Sequence, residues 1–207
     1  MKKRVRRAIA YIDGFNLYFG LKSKGWKRYY WLNIQALAQK LLLKDQTLAA
    51  TKYFTSRVSN DPGKQKRQND FIEAIATLPD VQIFYGKYQL NPRICRFCGK
   101  SDLFSNEKMT DVNIAVELLA DAFSDAFDTA LLISADSDLV APVKKVRALF
   151  PHKRVVAFFP PGRYSIDLKD ATGISISIGR SIIADSQFPD EIKKPDGFIL
   201  KRPDRWK

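Results

Sequence analysis

Histidine occurs once in this 207-residue chain, as His152, and cysteine twice, as Cys95 and Cys98. His152 falls in the expected loop before a fifth strand, so histidine-based acid–base pairs and nucleophile triads are excluded. Two cysteines make no disulfide framework of the kind that staples small secreted domains. No apolar run approaches the ~20 residues that cross a bilayer. The basic start, Lys2-Lys3-Arg4-Val5-Arg6-Arg7, leads into a short strand and not into the apolar stretch and cleavage site of a signal peptide. The expectation is a cytoplasmic protein with no membrane partner. Internal repeats and low-complexity segments are lacking too, which excludes solenoid architectures.

Acidic residues are the minority charge, 22 against 35 lysines and arginines, for a net charge of +13. An excess of this size attracts polyanions whatever the fold, and nucleic acid is the leading partner class. The bland reading is a solubilising surface. The basic residues gather in the N-terminal run, in Arg57 with Lys64, Lys66 and Arg67, and between Lys193 and Lys207. With 45% apolar residues, ordinary for globular chains, one domain with its own core is expected over 1–185, with 186–207 as a basic C-terminal tail.

Continuous apolar character makes Arg7 to Asp13 a buried parallel strand, with a helix from Phe15 to about Lys24 after the turn at Gly14. Asn33 reads as the N-cap of a helix over Ile34 to Leu43. Thr47 to Val58 is the second strand. A helix runs from the Ser59–Gly63 loop to about Thr77, and Val81 to Tyr85 is the third strand. Residues 86–106 break the pattern and read as a hairpin or knuckle insertion. Thr110 is the expected N-cap of the clearest amphipathic helix, through Phe123. Thr129 to Ile133 and Arg154 to Phe159 are the fourth and fifth strands, separated by a helix over Leu139 to Phe150. A short helix at Ser165 to Lys169 and a small strand at Ile174 to Ile178 follow. Alternation of strands and helices predicts a parallel sheet covered on both faces.

Against the basic background, four aspartates mark the ends of these elements: Asp13 closes the first strand, Asp111 opens the amphipathic helix, and Asp136 and Asp138 follow the fourth strand. In open parallel sheets ligands bind at the carboxyl ends of strands, where strand order reverses. If the first and fourth strands flank that point, these carboxylates converge, repel one another, and call for a hard divalent cation such as Mg²⁺ or Mn²⁺. Each residue also has a plainer reading. Asp13 and Asp136 are candidate N-caps, and acidic residues favour helix starts in general. Lys108 either reaches a phosphate or is a solvated helix start, and Glu107 would share a face with Asp111 if the helix began early. Asn16 lies one helical turn beyond Asp13, and Ser134 and Ser137 bring hydroxyls to the same crevice.

Three motifs occur in register: Asp13-Gly14-Phe15-Asn16, Lys108-Met109-Thr110-Asp111-Val112 and Ser134-Ala135-Asp136-Ser137-Asp138. In order and spacing they resemble the NYN domain family, relatives of the PIN-like nucleases, over about Arg7 to Arg180. The resemblance implies a three-layer α/β/α PIN-like (Rossmannoid) parallel sheet and a metal-dependent ribonuclease site on Asp13, Asn16, Asp111, Asp136 and Asp138, with Ser134 in support. Ala135 stands where many relatives carry glycine. The chemistry agrees, because a carboxylate-held ion that acidifies water needs no histidine.

Arg57, Lys64 and Arg67 are the candidate phosphate contacts. Trp26, Tyr29, Tyr30 and Trp31, interleaved with Lys24, Lys27 and Arg28, either stack bases or pack beneath the first loop. Cys95 and Cys98 have the spacing of half a zinc site that nothing else in the chain completes; a second copy of the chain would make zinc the staple of a homodimer, and two reduced thiols are the preferred reading. The leading functional reading is an endoribonuclease hydrolysing RNA by activated water. A catalytically silent RNA-binding module with the same acidic pocket is the alternative. A haloacid-dehalogenase-like phosphatase ranks third, since it needs Asp-x-Asp after the first strand, where only Asp13 stands.

Overall fold

The apolar run that opens the chain becomes the centre of a parallel sheet. In the structure, a computed structural model describing residues 4–58, 61–94, 97–99 and 101–207 with the side chains of 88–94 and 101–108 excepted, β1 spans Arg6–Asp13. Its Ala8, Ala10 and Ile12 enter one core cluster and its Ile9 and Tyr11 the other. Burial on both faces is why the run shows no polar alternation.

The chain continues through α1 (Gly14–Ser23), α2 (Ile34–Lys40, capped by Asn33 as expected), β2 (Gln46–Thr55), α3 (Pro62–Ala76) and β3 (Val81–Tyr85). α3 starts as its sequence dictates, with the Asp61 carboxylate accepting the Lys64 N–H and Pro62 in the first turn, where a missing N–H costs nothing. An antiparallel hairpin of β4 (Lys87–Ile94) and β5 (Ser101–Lys108) is the predicted insertion. Then come α4 (Thr110–Phe123), β6 (Thr129–Ile133), α5 (Val140–Leu149), β7 (Arg154–Phe159), α6 (Ile166–Thr172), β8 (Ser175–Ser177), α7 (Arg180–Ala184) and a second small hairpin of β9 (Glu191–Lys193) and β10 (Ile199–Lys201).

The main sheet has the order β3-β2-β1-β6-β7-β8 with every pair parallel. Strand order therefore reverses between β1 and β6, the two strands expected to flank the switch point. One face packs against α1, α2, α3 and α7, the other against α4, α5 and α6, giving a three-layer α/β/α arrangement. Among the described residues no helix is long and apolar enough to cross a membrane.

Two local readings change and one open reading is decided. β5 runs through Glu107 and Lys108, and Met109 takes φ 79°, so these two residues belong to the hairpin and not to the first turn of α4. The left-handed residue turns the chain sharply enough to end a strand and begin a helix within one position, and Thr110, expected as the N-cap, is already helical. The aromatic cluster resolves toward packing: Trp31 is fully buried with its indole N–H donating to the Pro189 carbonyl at 2.8 Å, and Tyr29 is buried. Residues 186–207 form β9, β10 and a closing turn whose Trp206 is buried among Tyr30, Trp31 and Phe71. Removing that ring, Trp206→Ala, is expected to cost about 3 kcal/mol, the low end for tryptophan truncation in a core. The midpoint of urea denaturation should fall at an unchanged slope.

Candidate metal centre

Alternation along β1 places its last residue, Asp13, on the face of Tyr11, toward α4. The Asp13 side chain is only 4% exposed. A buried carboxylate requires donors, and the neighbouring loops supply them. The Ser134 hydroxyl, fully buried, donates to Oδ2 at 2.9 Å, and the Asn16 backbone N–H donates to Oδ1 at 2.9 Å. Ser134 Oγ in turn accepts the Asp136 N–H at 3.1 Å, and Asn16 Oδ1 accepts the Ala135 N–H at 3.2 Å. The capping reading of Asp13 is realised, and the same side chain also joins the loop after β6. The loops after β1 and β6 are stitched together across the switch point.

Gly14 is required by close approach. A Cβ there would sit 2.5 Å from the Tyr53 hydroxyl and 2.7 Å from the Phe54 carbonyl oxygen. The first turn of α1 can therefore lie directly on the end of β2.

Asp111 enters from the first turn of α4. Carboxylate oxygens of Asp13, Asp111 and Asp136 all lie within 4.8 Å of one another. At that range each pair of like charges repels by about 3 kcal/mol at an effective dielectric constant near 20. Three hard oxygen donors so placed could hold a metal ion.

The position of α4 is fixed by a buried charge network beneath the cluster. Lys52, 6% exposed, sends its ammonium to Glu117 at 2.7 Å and Asp121 at 2.6 Å, and the Tyr11 hydroxyl donates to Asp121 at 2.5 Å. Burial first, and the Asp121 carboxylate second, push the Tyr11 hydroxyl far above its ordinary range, so it remains a donor. The network ties α4 to β1 and β2, and so ties Asp111 to Asp13. Sequence reasoning missed it; an isolated lysine in the middle of the apolar β2 was the available signal.

The remaining predicted residues scatter around the trio. Asp138 is exposed, outside the trio, with its N–H donating to Asp136 Oδ1 at 3.0 Å. Ser137 is exposed at the edge of a depression of about 310 Å³ shared with Val140, Lys144, Asp167 and Asp170. Arg57 is exposed beyond the end of β2, Lys64 pairs with Asp61 at 3.4 Å on the first turn of α3, and Arg67 is half-buried on the next turn. The Lys108 side chain and the whole of Cys95 lie outside the described residues, and Cys98 is exposed in the hairpin turn.

The NYN domain family model matches residues 7–179. A curated relative, 6-hydroxy-3-succinoylpyridine 3-monooxygenase HspA of Pseudomonas putida (strain DSM 28022 / S16), is 24% identical over 69% of this chain and 56% of its own length. The chain thus spans little more than half of that relative. A crystal structure of a protein of unknown function from Vibrio parahaemolyticus RIMD 2210633 superposes with a TM-score of 0.55 at 17% identity, covering 87% of this chain and 97% of the other. That likeness shows the same class of fold.

Two outcomes are expected from this geometry. Thermal denaturation should shift upward with MnCl₂, by about 2.7 kcal/mol of stability at a hundredfold excess over the dissociation constant. Asp136→Asn should abolish the shift and Asp138→Asn should leave most of it. Separately, Lys52→Met should destabilise by about 3 kcal/mol, since it leaves Asp121 and Glu117 without their buried partner, and chemical denaturation reads that loss directly.

Proposed function

Because this chain belongs to the NYN domain family, whose members share a nuclease-type fold, we propose that it is a metal-dependent endoribonuclease that hydrolyses RNA phosphodiester bonds. The convergence of Asp13, Asp111 and Asp136 within 4.8 Å at the switch point is the observation that carries the reading. Asp13, Asp111 and Asp136 would hold an ion of the Mg²⁺ or Mn²⁺ class. When bound, such an ion supplies the positive charge that acidifies water and stabilises a leaving oxygen.

The chain's own residues do the rest. Ser134 and the Asn16 N–H hold the Asp13 carboxylate in one orientation, so its ligand oxygen needs no reorganisation on binding. The Asn16–Ala135 hydrogen bond keeps the two loops at a fixed separation. Arg57, just beyond β2, and Lys64 and Arg67, on the first turns of α3, would receive backbone phosphates. Ser137 and Asp138, exposed in the loop after β6, would meet substrate there.

The monooxygenase activity in the curated relative's name is the competing assignment. Among iron oxygenases, the common two-histidine, one-carboxylate centre needs two histidines, and this chain has one, His152, whose ring lies against Phe150 before β7. An all-aspartate oxygen donor set suits hydrolysis better than oxygen activation by such a centre. The catalytically silent reading keeps the same trio with no turnover.

Purified protein with Mn²⁺ is expected to cleave a labelled RNA. EDTA should stop the reaction, and Asp13→Asn or Asp136→Asn should slow it by more than about a hundredfold, the scale of losing one charge-stabilising group at a reacting centre. Binding measured in EDTA should survive Asp136→Asn. RNA that is bound but left intact would instead assign the silent role.

A further inference from the structure

Tyr85 is the last residue of β3, and the residue is 42% exposed. The Arg57 guanidinium lies over it, 4.8 Å from the ring centroid. The guanidinium also donates to Asn69 Oδ1 on α3 at 3.0 Å and to the Tyr85 hydroxyl at 3.4 Å. An exposed aromatic ring with a cation held on its face is the pairing that nucleic-acid-binding grooves use, the ring for a base and the cation for π-stacking or a phosphate.

The position of this pair is set by the sheet register. Asp13 pairs with Phe54 and Phe54 with Phe84, so one row across three strands begins at the buried carboxylate and ends beside Tyr85. Two inter-strand spacings separate the ends of the row, ~10 Å; Tyr85, one residue beyond it, turns its ring to the opposite face, toward α3, so the ring and the trio share the carboxyl-terminal edge of the sheet from its two faces. A second tie comes from α4. Asn113, two residues after Asp111, donates from its side chain to the Tyr85 carbonyl at 3.3 Å. The first turns of the helix that presents a carboxylate to the trio also brace the strand end that presents the ring.

We propose that Tyr85 and Arg57 form a stacking platform for an unpaired nucleobase at the same strand-end edge of the sheet as the acidic trio, which selects single-stranded over duplex RNA. The proposal takes its substrate class from the nuclease reading above. In a duplex both faces of each base are already covered by neighbours, and the deep, narrow major groove of an A-form helix does not admit side chains to its base edges. A base freed from a stack can lie on Tyr85 or on the guanidinium plane while its flanking phosphate runs toward the trio. Stacking of this kind is tolerant of sequence, so the platform confers a preference for strandedness and not for a motif.

The test separates binding from cleavage. A fluorescein-labelled 12-nucleotide RNA, alone and annealed to its complement, is titrated with Asp136→Asn protein in EDTA. On this background Tyr85→Ala should weaken single-strand binding by about ten- to a hundredfold, the range for one lost base–aromatic stack. Duplex binding should move less than about twofold, and Tyr85→Phe should retain the single-strand affinity. Arg57→Ala should weaken single-strand binding and reduce the slope of log affinity against log salt by about 0.7. Tyr85→Leu, which keeps apolar bulk without a flat ring, carries the same expectation if alanine disturbs β3. Equal losses for single strand and duplex, or no loss for either, would overturn the platform. Absence of cleavage by the unsubstituted protein bears only on the nuclease reading, because the platform is read entirely from binding.

Discussion

A carboxylate buried at the point where the sheet reverses its strand order is the constraint on which the other features turn. Burying Asp13 to 4% exposure is unfavourable unless its oxygens are hydrogen-bonded. That requirement explains residues that otherwise look incidental. Ser134 must be a hydroxyl, and the helix after β1 must start at once so that the Asn16 N–H can reach back. Gly14 must lack a side chain so that this early start can lie on β2. Each is a consequence of holding one charge between β1 and β6.

The second requirement is that Asp111 arrive from a different layer. Helix α4 is linked to β3 through an antiparallel hairpin, so chain connectivity alone would leave its first turn loosely placed. The buried Lys52 network and the Tyr11 hydroxyl fix the helix to the strands below the trio, while Asn113 fixes it to the end of β3. Buried ion pairs of this sort add little net stability compared with well-packed apolar groups, and are best understood as setting register. Here the register in question is the distance between carboxylates.

The inner strands were legible because burial on both faces leaves continuous apolar runs: β6 and β7 coincide with the sequence reading and β1 differs by one residue, while the edge strand β3, also read with its observed bounds, shows itself by its β-branched and aromatic residues. The switch point followed from chain order, and three of the four aspartates meet there. What was illegible has specific causes. Nothing in Glu107-Lys108-Met109 announces that Met109 adopts a positive φ, so a strand was read as the start of a helix. Asp138 has the same local signature as Asp136, and only the geometry of the short turn after β6 distinguishes the capping carboxylate from the exposed one. Trp206 sits in a run of lysines and arginines, and its burial depends on a pocket formed by Tyr30, Trp31 and Phe71, far away in sequence. Tyr85 reads as an ordinary strand residue until Arg57 is seen on its ring.

The two charge patterns of the molecule act at different ranges, and this decides how they combine. A net charge of +13 sets a field that draws a polyanion toward the surface from beyond contact, damped over about 8 to 10 Å at ordinary ionic strength. Three carboxylates within 4.8 Å act only at short range, where they repel a phosphate as they repel one another. The basic exterior and the acidic centre therefore oppose each other at the last few ångströms of approach. A divalent cation at the centre reverses the sign of that final step without altering the field outside. On the proposed nuclease reading, cation and phosphodiester would favour each other's binding, and affinity for the backbone would depend on the ion at the trio and on salt elsewhere. Asp13 and Asp136 cap their own helices and Asp111 suits the first turn of its own, so helix-start preferences account for each aspartate singly but not for the meeting of all three within 4.8 Å.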